Sequence, residues 1–86
     1  MPWLGEATRL AGTDLAGIPT GRERAAVIAA IDGLVDDPGA ADIARLYEGT
    51  WHLRAGHWRV IFETDTDAEI VRLLRVLRRN EGAYDG

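Results

Sequence analysis

Two periods of apolar residues divide this chain. Up to Val35 they recur every three or four positions, as on one face of a helix; from Trp51 they alternate with polar ones, as in a strand. Trp3 to Ala7 reads as a short first strand with Gly5 in its middle. Thr8 can cap a helix running to about Gly17, with Ala11, Leu15 and Ile18 on one face and Pro19 ending it. Thr20-Gly21-Arg22-Glu23 is a capping box, and Val27, Ile28, Ile31, Leu34 and Val35 form the apolar stripe of a second helix. Pro38-Gly39 stops that helix. So short a connection between the two helices predicts an antiparallel pair.

Ala40 to Thr50 reads as a connecting segment with room for one helical turn around Ile43 and Leu46. Three strands follow: Trp51 to Arg54, Trp58 to Phe62 and Ile70 to Leu77, separated by turns at Ala55-Gly56-His57 and Thr64-Asp65-Thr66-Asp67. Turns this short predict an antiparallel meander. The expected fold is a single α+β domain over residues 1–86, in the order β-α-α-β-β-β, with a helical hairpin packed on a small antiparallel sheet.

Alternation then sorts the side chains. Trp58, Val60 and Phe62 belong under the helices, which sends Arg59 to the other face. With Trp51 and Leu53 as the core pair, His52 and Arg54 join Arg59 there. The third strand is apolar on both faces, and Arg78 and Arg79 stand at its end. Arg72 and Arg75 are expected to pair with Glu63 or Glu69 across the hairpin.

Composition changes this picture in one respect. The 86 residues carry fourteen acids against ten basic residues, all arginine, for a net charge of −4. That argues against a general nucleic-acid binder, which is usually basic. The acidity is local, however: residues 1–50 hold eight acids and four arginines, and residues 51–86 hold six of each. Without cysteine the chain has no disulfide, thiol nucleophile or thiolate zinc site. Neither a signal segment nor a membrane span is visible, so a cytoplasmic protein is expected, with a core thin enough to gain from a partner.

Guanidinium groups match phosphate oxygens and stabilise charge developing on phosphorus, but are poor proton acceptors. His52 is the neighbouring group that titrates near neutrality, and Trp51, Trp58 and Tyr84 offer surfaces for base stacking. Two histidines without metal-ligand spacing make a metal site unexpected, and no cofactor motif is present. The residues alone leave two readings open: a phosphate-handling site, or a solvated strand face.

The segment Leu53-Arg54-Ala55-Gly56-His57-Trp58-Arg59-Val60-Ile61-Phe62-Glu63 is similar to the "LRVGDYRVIYE" core of the RelE/ParE superfamily of bacterial toxins from toxin–antitoxin modules. Leu73-Leu74-Arg75-Val76-Leu77-Arg78-Arg79, with the later Tyr84, resembles that superfamily's "VLRVGHRREVY" ending. Thr8 to Pro19 resembles its first helix, "SPxAxxDLxxLP". The resemblance spans essentially the whole chain and implies the fold deduced above.

The resemblance to the RelE branch implies a metal-independent endoribonuclease that cuts mRNA in the ribosomal A site. Its chemistry is attack of a ribose 2′-hydroxyl on the adjacent phosphate. The matching positions are His52, Arg54, Arg59, Arg78 and Tyr84, with His52 and Arg54 where the family usually has lysines. No cofactor is implied. The implied partners are a cognate antitoxin, in a hetero-oligomer, and the ribosome. Two other functions come with the same family: a ParE-like inhibitor of DNA gyrase, and a catalytically weak toxin homologue that mainly binds its antitoxin.

Overall fold

The structure is a computed structural model and describes residues 3–78. The chain runs β1 (Leu4–Ala7), α1 (Arg9–Ala16), α2 (Gly21–Asp36), a 3-10 turn (Pro38–Ala40), β2 (Ile43–Tyr47), β3 (Thr50–Ala55), β4 (Trp58–Asp65) and β5 (Ile70–Arg78). The strands form one sheet in the order β1-β5-β4-β3-β2. Among the described residues only β1 and β5 pair in parallel; the remaining neighbours are antiparallel.

Both helices start where their caps predict. Thr8 Oγ1 accepts the Ala11 N–H at 3.2 Å, and Thr20 Oγ1 accepts the Glu23 N–H at 3.1 Å. Glu23 completes its capping box differently from expectation, its carboxylate taking the Thr20 hydroxyl at 3.4 Å. The two helices are tied by Arg24 on α2, which donates to the Leu15 and Ile18 carbonyls at 3.2 and 2.9 Å. Those carbonyls lie at and beyond the end of α1, where the helical ladder runs out; the Leu15 carbonyl also accepts the Ile18 N–H, at 3.2 Å.

One expected element is corrected. Ile43 to Tyr47 is a strand and not a helical turn, pairing Ile43 with Leu53, Ala44 with His52 and Arg45 with Trp51. The two-residue loop Glu48-Gly49 returns the chain tightly, Gly49 taking a φ of 77° that favours glycine. Leu46 is the extra residue where the register shifts between Arg45 and Tyr47.

The core lies between the sheet and the helices. Ala11, Ile18, Val27, Ile31 and Leu34 meet Leu53, Val60, Phe62, Val71, Leu73 and Val76. The apolar stripe of α2 is narrower than its sequence suggests, since Ile28 is exposed. On β5, Leu74 is an extra residue opposite the Ile61–Phe62 step of β4. This bulge flips the alternation, so that Val71, Leu73 and Val76 all reach the same core. It also explains why both parities of β5 looked apolar in the sequence.

Beyond Ala7, α1 takes over from β1 along the edge of β5. The Thr8 N–H and hydroxyl donate to the Leu73 and Leu74 carbonyls, each at 2.9 Å, and the Asp14 carboxylate accepts the Val76 N–H at 2.9 Å. Backbone groups that a longer β1 would have paired are thereby satisfied from a helix.

Candidate functional site

The face of the sheet away from the helices carries the sequence's candidate residues. In register, Ala44, His52, Ile61 and Arg75 form one row across four strands, and Arg54, Arg59 and Leu77 form the next. His52, Arg54 and Arg59 are thus brought together on β3 and β4, as alternation predicts.

Arg54 and Arg59 are direct cross-strand partners. Like charges placed opposite each other are destabilising, so this pairing runs against what stability alone favours. Two features moderate it. Arg54 is shared with Asp42, whose carboxylate lies 3.4 Å from its guanidinium, while the Asp42 carbonyl accepts the Arg54 N–H at 3.0 Å. Arg59 is only 7% exposed, and its guanidinium donates to the Trp58 carbonyl at 3.3 Å. Arg59 is therefore an enclosed cation and not the freely solvated strand residue that a bland reading would give.

His52 is half-buried between them. Burial is the first cause holding its imidazole below the ordinary value of 6.5; the Arg59 and then the Arg54 charges add to that, against a smaller opposing pull from Asp42. The ring is neutral at pH 7 and has a nitrogen lone pair available to accept a proton.

The other two candidates are placed differently. Arg78 is exposed at the end of β5 and pairs with Trp58, a register position that belongs with Val76 and Val60 and not with Arg59. Tyr84 lies outside the described residues, as does Arg79. Trp58 is buried in the core, and its indole N–H has no hydrogen-bond partner among the described residues.

Two arginines are engaged structurally. Arg72 pairs with Glu63 at 2.9 Å, as expected, and with Glu6 at 3.4 Å. Arg75 binds neither Glu63 nor Glu69; it meets Asp14 on α1 at 2.8 Å, because α1 lies against this part of β5. Sequence reasoning missed Asp42. Its adjacency to Arg54 depends on β2 being a strand, and the signal available was the Glu48-Gly49 loop. Among the described residues no three histidine or carboxylate side chains converge on a metal site, and no helix is long and apolar enough to cross a membrane.

Comparison with known proteins identifies the family and the fold. Residues 6–82 match the family described as ParE toxin of type II toxin–antitoxin systems, parDE. Comparison with curated proteins gave no match. Among solved structures, the toxin–antitoxin complex RelBE2 from Mycobacterium tuberculosis is 30% identical, with a TM-score of 0.79 over 92% of this chain and 100% of that one. The archaeal RelE–RelB complex from Pyrococcus horikoshii is 17% identical, with a TM-score of 0.79 over 93% of this chain and 98% of that one. A free-state mutant of the toxin RelE from E. coli is 13% identical, with a TM-score of 0.75 over 94% and 87%; these last two share the fold. The chain belongs to the ParE toxin family, within the RelE/ParE superfamily, and is a toxin of a toxin–antitoxin module.

Proposed function

We propose that this toxin is a ribosome-dependent mRNA endoribonuclease, working without a metal. The observation that carries the reading is the neutral, half-buried His52 beside the enclosed Arg59 and the exposed Arg54 on one face of the sheet. His52 takes the proton of a ribose 2′-hydroxyl as that oxygen attacks the adjacent phosphorus. The P–O5′ bond breaks, leaving a 2′,3′-cyclic phosphate on one fragment and, after protonation, a 5′-hydroxyl on the other. Arg59 offsets the charge that develops on the phosphate oxygens, and Arg54, released from Asp42, positions the backbone. Arg78 and Tyr84 are proposed to complete the site, Arg78 reaching the phosphate around the exposed end of β5 from its register position on the other face, and Tyr84 stacking or returning the proton.

A cognate antitoxin is the proposed partner, in line with the RelB-bound complexes among the similar structures. The second reading, inhibition of DNA gyrase in the ParE manner, is favoured by the family that residues 6–82 match. The deciding experiment compares the wild-type toxin with His52→Ala and Arg59→Ala in a translation extract, alongside a supercoiling assay. The nuclease reading expects mRNA cleavage by the wild type, loss in both variants and unaffected gyrase. Supercoiling inhibition without cleavage would establish the second reading instead.

A further inference from the structure

The helix-covered side of the sheet has an unfilled edge. Gly5 and Ala7 are the β1 residues that face α2, as their register with Val71 and Leu73 requires, and both remain exposed. A Cβ at Gly5 would stand 3.0 Å from Val35 Cγ2, a tight contact that Val35 would have to give way to. Two residues this small leave a groove of about 410 Å³ between β1 and the C-terminal half of α2. Leu73 forms its floor, Ile31 and Val35 its wall, and Asp32 and Asp36 its rim.

Charge and backbone both favour a particular occupant. No cation lines the groove, and neither Asp32 nor Asp36 has an ion-pair partner among the described residues. Glu6, the third acid there, is paired with Arg72. The Leu4 and Thr8 N–H groups donate to β5, so alternation turns the backbone groups of Gly5 and Ala7 outward, along the groove. An aliphatic floor, an acidic rim and the outward backbone groups of Gly5 and Ala7, unpaired among the described residues, together match an extended cationic strand.

We propose that this groove docks an extended, cationic segment of another protein. Its aliphatic side chains would cover Ile31 and Val35, and its lysine or arginine side chains would meet Asp32 and Asp36. Other occupants fit less well by chemistry. Residues 79–86 of this chain carry one arginine against two acids and no branched aliphatic side chain. A second copy would bring its own Glu6 edge to an acidic rim. The groove opens on the side of the sheet opposite to His52, so the proposal goes beyond the nuclease reading and does not depend on it.

The test uses the full chain and a labelled peptide of alternating lysine and valine, with a glutamate–valine peptide as control. Fluorescence anisotropy should show binding of the lysine peptide only, weakening as salt rises. The double variant Asp32→Asn, Asp36→Asn should bind about tenfold more weakly while melting like the wild type and keeping the wild-type mRNA cleavage. Amide NMR shifts on binding should centre on Gly5, Ala7 and Val35 and spare His52. Equal binding of both peptides, no binding of either, or unchanged affinity in the double variant would overturn the proposal. Concentration-dependent self-association lost in the double variant would also overturn it, in favour of a second copy.

Discussion

Asp14 on α1 grips Arg75 on β5 with both carboxylate oxygens, at 2.8 and 3.3 Å, and takes the Val76 N–H with the nearer one, at 2.9 Å. One side chain thus joins a helix to a strand that follows it by some sixty residues, and closes the edge of that strand. The hydrogen bond from Arg75 is the first cause holding the Asp14 carboxyl below the ordinary 3.8, against the opposing effect of burial; the Val76 N–H and the Arg75 charge lower it further.

Asp14→Ala should therefore lower stability by about 1–3 kcal/mol at neutral pH, chiefly by stranding the Val76 N–H, since the ion pair with the half-buried Arg75 contributes less. A depressed carboxyl stabilises the fold fully above 3.8 and ceases to do so as pH falls through its folded value. Urea titrations at neutral pH and near pH 3 should show the gap between wild type and variant narrowing in acid.

Thr8 holds the neighbouring stretch of the same edge. Thr8→Val removes the cap on the Ala11 N–H and the donor to the Leu74 carbonyl, and should cost about 1–2 kcal/mol. Thr8→Ser keeps both groups and should melt within a few degrees of wild type by calorimetry.

The titration of His52 reports the charges around it. Removing Arg59 or Arg54, as Arg59→Met or Arg54→Met, should raise the His52 pKa, and Asp42→Asn should lower it. Histidine ring NMR across pH 4 to 8, roughly the span in which imidazole titrates, reads all three directly. A shift in the wrong direction for any variant would remove that group from the account of the site.

Under the nuclease reading, cleavage should rise with pH through the His52 pKa, which lies below 6.5, and then level off. Arg59→Met should move that rise upward in pH as well as lowering the plateau, by on the order of a hundredfold or more. Single-turnover cleavage over a pH series separates the two effects. The same depressed imidazole stabilises the fold above 6.5, and that contribution fades as pH falls below it.

Much of this was legible in the chain. Thr8, Thr20, Pro19 and Pro38 bound both helices, and alternation in β3 and β4 sends His52, Arg54 and Arg59 to one face. What escaped depends on register. β2 was hidden because Ile43 and Leu46 stand three apart, a helical spacing, and only pairing with β3 makes a strand of them. The bulge at Leu74 cannot be read from a run of apolar residues, yet it decides which β5 side chains enter the core. The Asp14–Arg75 and Asp42–Arg54 pairs follow from those placements and were invisible for the same reason.

The parallel pairing of β1 with β5 has a consequence for how this protein comes into being. β1 finds its partner only in β5, at the other end of the described residues, and β5 is interior to the sheet, flanked by β1 and β4. Until Ile70 to Arg78 have been made, the core lacks Val71, Leu73 and Val76, and β1 has no neighbour. Such distant contacts form late and slowly. A chain that stops short of β5 lacks the partner of β1, the inner neighbour of β4 and three core side chains, and so cannot assemble this sheet.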